Sequence, residues 1–215
     1  MAATTFAPDD VRSKYKGRVV AVGGPPHSGK SVFLAELYSQ LLARRPSGVF
    51  LQRACPDGEG MWSAESDPTT VADIRRKGSF SQEFMTFVLK GIENLGRKFP
   101  ILLLDLGGRR TAENAEILLR STHLIVLSSK EEEIQTWQQF AVAEGCDTLA
   151  VFQSRLVLLD GGGLDLTVRS TVEVAAMTAQ GVMLNLDREV QQKHESVTFR
   201  DAISQFADWL ITKTE

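Results

Sequence analysis

The sequence predicts a three-layer α/β domain on a mainly parallel sheet, and three observations predict it. Short apolar, β-branched runs alternate with amphipathic segments from Arg18 to Phe152, the pattern of a parallel sheet covered on both faces. The first run, Arg18-Val19-Val20-Ala21-Val22, leads into Gly24-Pro25-Pro26-His27-Ser28-Gly29-Lys30-Ser31, which fits G-x-x-x-x-G-K-[ST]. The third observation is Pro100-Ile101-Leu102-Leu103-Leu104-Asp105-Leu106-Gly107-Gly108, a buried run that delivers a carboxylate at its tip. The last two are the Walker A and Walker B parts of a P-loop NTPase.

The motif sits where its mechanism needs it, between a strand and a helix. Gly24 and Gly29 let the backbone fold around a phosphate. The N–H groups at the helix start, from Ser28 through Val32, favour an anion with the helix dipole behind them. Pro25, Pro26 and His27 complete the loop, and the His27 imidazole is either a phosphate donor or an exposed filler. Lys30 is expected on the β- and γ-phosphates, and Ser31 on Mg²⁺ with Asp105. Gly108, in Asp105-x-x-Gly108, would offer its N–H to a γ-phosphate. Arg109 would stabilise transferring charge, as would Arg110; both are otherwise solvated arginines at a helix start.

The elements follow in order. Residues 1–17 read as a flexible leader and 18–215 as a single nucleotide-binding domain. Val32–Leu42 carries apolar residues at helical spacing and ends near Pro46. Gly48–Arg53 is the second strand. Residues 54–68 form a long, acidic, Gly/Pro-punctuated loop at a strand's C-terminal end, the ligand side of an open α/β sheet. Within it, Asp57 and Glu59 are candidates to position a nucleophile or to act as base, against a plain turn role for Pro56-Asp57-Gly58. Thr69–Lys77 reads as a short helix ending in Arg75-Arg76-Lys77. Ser81–Lys98 is a stronger one, with Phe84, Phe87, Val88, Ile92 and Leu95 on its apolar face. Thr111 caps a helix through Leu119. Leu124–Ser128 is a strand, and Lys130–Glu144 a helix whose Glu131-Glu132-Glu133 start suits the dipole. Leu149–Phe152 is a fifth strand. Ser154–Leu159 and Leu164–Arg169 flank Asp160-Gly161-Gly162-Gly163, a hairpin signal. That hairpin is either a structural edge or a flap bringing Arg155 and Arg169 to the site. Val182–Leu186 suggests one more short strand. Thr198-x-x-Asp201 resembles a capping box opening a last helix, with Phe206, Trp209 and Leu210 in the core.

Helices between the second and third strands make those strands parallel. With Asp105-x-x-Gly108, this favours the kinase/SIMIBI-like branch, with the Walker B strand beside the phosphate-loop strand and a C-terminal β-hairpin and helix added. The lysine that marks deviant Walker A ATPases is replaced by Val22. N/T-K-x-D, expected of a GTPase after the fourth strand, is replaced by Ser129-Lys130-Glu131-Glu132, so ATP is preferred over GTP.

Composition excludes other classes. A net charge of −3 argues against a broad nucleic-acid surface. The two cysteines, Cys55 and Cys146, lack paired spacing and read as buried, reduced thiols of a cytoplasmic protein. Apolar runs fall short of the roughly 18 residues of a membrane span, and the first 17 residues lack a signal-peptide core. His123 and His194 lack metal-ligand spacing.

Three segments together resemble one prokaryotic family. They are Gly23–Ser31, then Arg53-Ala54-Cys55-Pro56-Asp57-Gly58-Glu59-Gly60-x-Trp62, then Asp105-Leu106-Gly107-Gly108-Arg109. The family is the AAA-like ATPase domain joined to a CRISPR-associated ring nuclease that degrades cyclic oligoadenylates. The resemblance runs from about Arg18 to the final helix and implies a role in antiviral defence. The family's nuclease domain is absent from this sequence, so nuclease activity is expected from a separate partner. Three functions stay open: a Mg²⁺-dependent ATPase, a small-molecule or nucleotide kinase, and a non-catalytic nucleotide sensor docking on a nuclease. The oligomeric state is open as well.

Overall fold

The computed structural model describes residues 8–55, 81–188 and 198–213. Among these residues the sheet has seven strands: β1 (Arg18–Gly23), β2 (Val49–Arg53), β3 (Ile101–Asp105), β4 (His123–Ser128), β5 (Asp147–Arg155), β6 (Thr171–Val174) and β7 (Ala179–Leu184). Their order is β2-β3-β1-β4-β5-β7-β6, and only the β6–β7 pair is antiparallel. The Walker B strand β3 therefore lies directly beside the phosphate-loop strand β1, with β2 parallel to β3, as the sequence predicts.

The period of two in β1 builds both faces. Val20 and Val22 pack on one side with Phe33 and Leu37 of α2 (Lys30–Arg44). Phe206 and Leu210 of the C-terminal helix join that same face. Val19 and Ala21 pack on the other side with Val88 and Ile92 of a helix over Gln82–Lys98, Ile117 of one over Ala112–Arg120, and Trp137 of one over Glu131–Ala143. With α1 at Pro8–Arg12 and α2 as above, these three are α3, α4 and α5, and Arg200–Thr212 is α6. Helices thus cover both faces of the sheet.

Caps explain two helix starts. Ser81 accepts a hydrogen bond from Phe84 N at 3.1 Å, and Thr111 accepts one from Asn114 N at 3.3 Å. The capping box at Thr198 does not form. Its hydroxyl donates to Leu184 O at 3.3 Å instead, and α6 starts without a side-chain cap. Tertiary pairing with β7 takes the group that local capping would have used.

Other expectations shift. Residues 8–17 are not loose: Val11 is buried, Arg12 donates to the carbonyls of Leu118, Glu144 and Gly145, and Lys16 N donates to Gly96 O at 2.9 Å. Phe87 is 73% exposed, about 100° around α3 from the buried Val88. The predicted hairpin at 154–169 reduces to one bridge, Leu158 to Leu164, because β5 runs on to Arg155 and pairs with β7. The C-terminal hairpin is β6–β7, some residues later. Trp209 is core, stacked on Phe206 at 5.6 Å. Both cysteines are buried and outside any disulfide, and burial pushes the Cys146 thiol up to about 12. Among the described residues, no helix is long and apolar enough to cross a membrane.

At the strand ends opposite the phosphate loop, His123 is held neutral. Arg18 Nη1, a donor only, lies 3.0 Å from His123 Nε2, so that nitrogen accepts; Nδ1–H then donates to Thr122 Oγ1 at 2.8 Å. Burial, then the Arg18 charge, lowers the His123 pKa to about 4, while Asp147 opposes them and Arg12 adds to them. Between that value and the ordinary value near 6.5, the unfolded chain binds more protons than the folded one. Stability is therefore expected to fall as pH drops through this window, by on the order of 1–3 kcal/mol after screening of the half-buried ring. Chemical denaturation of the wild type and His123→Gln across pH 4 to 7 checks it: the variant should show a flatter slope.

Candidate functional site

The chain runs from β1 outward to β2, returns through β3, and crosses to β4 on the far side of β1. Such a reversal opens a crevice at the carboxyl ends of the parallel strands. The phosphate loop fills its floor. Gly23 ends β1, and Gly29, at φ 84°, is the N-cap of α2 in the left-handed region. A Cβ at Gly29 would lie 2.6 Å from Leu186. Gly24, at φ 143°, has no room for a side chain, because a Cβ there would run into the Leu127 carbonyl oxygen of β4. His27 also takes a positive φ of 60° and is exposed on the loop.

The first helical bond of α2 is Phe33 N to Gly29 O at 2.9 Å. The first turn of a helix leaves its N–H groups without an acceptor within the helix, and Pro26 through Val32 line the crevice here. Lys30 is buried, with Nζ donating to Gly24 O at 2.9 Å and Pro25 O at 2.8 Å. Its ammonium thus lies folded across the loop. Ser28 is also buried, and its Oγ has no hydrogen-bond partner among the described residues. Ser31 is half-buried on the same wall.

Asp105 ends β3, paired in register with Val22 of β1 and Arg53 of β2. It therefore stands beside the start of the phosphate loop. Gly108 packs on that loop so closely that a Cβ would lie 2.7 Å from Pro26 N. Arg109 is exposed and lines the crevice. Arg110 is engaged elsewhere: it pairs with Glu133 at 2.6 Å and lies over the Trp137 ring at 5.8 Å. Asp57, Glu59, Arg75, Arg76 and His194 lie outside the described residues.

The structure adds wall residues that sequence reasoning did not assign. On the β2–β3 side these are Arg53 and Asn114. On the other side they are Ser154 with Leu186, Asp187 and Arg188, beside Ser129. The ends of β5 and β7 are therefore part of the wall, not only the end of β4. Placing β7 in the parallel sheet would have pointed to them. Arg155 lines the crevice while donating to Gln153 at 2.6 Å, whereas Arg169 donates to the carbonyls of Leu166, Thr167 and Val168 in its own turn. The hairpin arginines thus split between site and scaffold.

No protein-family model matches the chain, and no curated protein sequence matches it. Solved structures do. One is the cell division ATPase MinD of Pyrococcus furiosus, at 15% identity over 93% of this chain and 100% of that one, with a TM-score of 0.58. Another is cobyrinic acid a,c-diamide synthase of Mycobacterium smegmatis with a bound ATP analogue and magnesium, at 13% identity over 91% and 94%, with a TM-score of 0.56. A third is a ParA family ATPase of Chlorobium tepidum, at 10% identity over 89% and 97%, with a TM-score of 0.53. At such identities the likeness is one of fold. The strand order, the phosphate loop after β1 and these structures together give the chain the MinD- and ParA-like fold of the SIMIBI class of P-loop nucleoside triphosphatases.

Proposed function

We propose that this protein binds ATP with Mg²⁺ and hydrolyses it. The observation that carries the reading is the cradle at the start of α2. Lys30 Nζ is held over the loop by two carbonyls, and Ser28 Oγ is buried without a partner among the described residues. A buried hydroxyl left unpaired is costly, and a phosphate oxygen would satisfy it. Gly24 and Gly29, both at positive φ, let the backbone wrap the loop that would hold the same group. The residues present therefore fit a triphosphate and its metal. Lys30 would bind the β- and γ-phosphates, Ser31 and Asp105 would hold Mg²⁺, and Gly108 would sense the γ-phosphate. When bound, the metal neutralises charge on the transferring phosphoryl group. Arg109, on the wall and exposed, would approach the same charge. Asp57 or Glu59 would position the nucleophile.

ATP is favoured over GTP by Ser129-Lys130-Glu131-Glu132 in place of the guanine motif. The ATP analogue in the M. smegmatis structure supports this choice. The three resemblance motifs support a cytoplasmic accessory role in prokaryotic antiviral defence. The partner would be a separate CRISPR-associated ring nuclease or a cyclic oligoadenylate.

Product analysis with Mg²⁺ and ATP or GTP, with and without cyclic tetra-adenylate, tests these readings together. Free phosphate and ADP are expected, and a rate that depends on the cyclic nucleotide would support the defence role. A phosphorylated acceptor would replace hydrolysis with kinase activity. Tight binding without turnover would leave a sensor module. Absence of binding to both nucleotides would overturn the proposal.

A further inference from the structure

Asn114 stands on the first turn of α4, 1% exposed, in the crevice wall that also holds Asp105, Gly107, Gly108 and Arg109. Its Nδ2 donates to Arg109 O at 2.6 Å. That bond sets the orientation of the side chain, since only the amide nitrogen donates to a carbonyl. Oδ1 is therefore turned the other way, and it is buried with no hydrogen-bond partner among the described residues. The amide also stands at a junction. A Cβ at Gly107 would lie 3.5 Å from Asn114 Nδ2 and 3.0 Å from Cys55 Sγ, where the chain leaves β2.

An apolar side chain would fill this place without leaving an acceptor unpaired, and an unpaired buried acceptor costs free energy. What asparagine supplies is a donor to the Arg109 carbonyl, in the peptide that follows Gly108 and Arg109. Those two residues are the ones that would meet a γ-phosphate. Resting on the proposed nucleotide function, we propose that Asn114 is the positioning residue of this loop. It holds Leu106–Arg110 on α4 so that the Gly108 N–H and the Arg109 guanidinium face the γ-phosphate. The loop so held is a latch that meets the third phosphate of a triphosphate and nothing of a diphosphate, and it therefore discriminates between the two. Asn114 touches no reacting atom and acts through Arg109 and Gly108.

The test compares affinities for ADP and for a non-hydrolysable ATP analogue, both with Mg²⁺, in the wild type, Asn114→Ala and Asn114→Asp. Asn114→Ala should weaken the analogue by about tenfold, the worth of one lost hydrogen bond, while ADP affinity stays within about twofold of the wild type. Its kcat should fall roughly 100-fold through loss of positioning, with KM less affected. Asn114→Asp keeps the shape but loses the donor. It should show the same selective loss at neutral pH and recover as acidification protonates the carboxyl, which then donates to Arg109 O. Equal weakening of both nucleotides would show a merely structural role and overturn the proposal, as would wild-type discrimination in Asn114→Asp at neutral pH. A wild type that binds neither nucleotide would overturn the nucleotide reading itself, and the latch with it, before any variant is made.

Discussion

Lys30→Ala is expected to lower nucleotide affinity by about 100-fold or more while leaving the fold in place. A hydrogen bond to a charged partner contributes about 1.5–3 kcal/mol, and two phosphates would share this ammonium. The same ammonium now bridges Gly24 O and Pro25 O, so its loss also loosens the loop. The bond to Gly24 O is buried and that to Pro25 O part-buried, so the loss of their shared donor should cost about 1–3 kcal/mol of stability. Titration calorimetry with ATP and Mg²⁺, run beside thermal denaturation, separates the two effects. Lys30→Arg should fail as well, because a planar fork cannot fold back onto two carbonyls of the same loop as a compact ammonium does. A folded Lys30→Ala protein with undiminished affinity would remove the loop as the phosphate site.

Gly24→Ala should damage stability and binding together. The position combines φ 143° with the Leu127 carbonyl oxygen where a Cβ would go. Backbone strain and overpacking of about 1–3 kcal/mol each put the cost near 3 kcal/mol. For a domain of this size that corresponds to a fall in Tm of roughly 6–12 °C. The loop can relieve the clash only by leaving β4, which moves the helix-start N–H groups from their present wall. Gly161→Ala is the matched control: a Cβ there meets nothing within 4 Å, and the change should stay within about 0.5 kcal/mol. Equal melting temperatures for the two variants would refute the packing account of Gly24.

Much of the site was legible because its parts are local. The residues from Gly24 to Val32 occupy one turn and one helix start, and their spacing alone says that backbone donors converge there. Asp105 was legible as the polar end of an apolar run. The covered faces of β1 and β3 followed from the same run lengths. Boundaries depending on distant partners were not legible. Phe87 looks like core in a linear pattern, yet it stands off the buried stripe of α3. The Gly161-Gly162-Gly163 turn signals a hairpin, but β5 takes the first two residues of the expected first strand, Ser154 and Arg155, to pair with β7. Thr198 has the spacing of a cap, and its hydroxyl goes to Leu184. Asn114 carries no motif, since its meaning lies in Arg109's carbonyl, five residues away across a helix start.

The amino-acid order alone was enough for the fold class, the strand–loop–helix at Gly24–Ser31 and the adjacency of the Walker B strand. These rest on short-range stereochemistry and on hydrophobic period, which each segment carries within itself. Only the folded chain decided which arginines face the crevice, why Gly24 and Gly108 admit no side chain, and which strand ends form the far wall. Those outcomes depend on backbone of one strand meeting side chains of another that is far off in sequence. Excluded volume and hydrogen-bond pairing between such segments exist only once the sheet has been assembled.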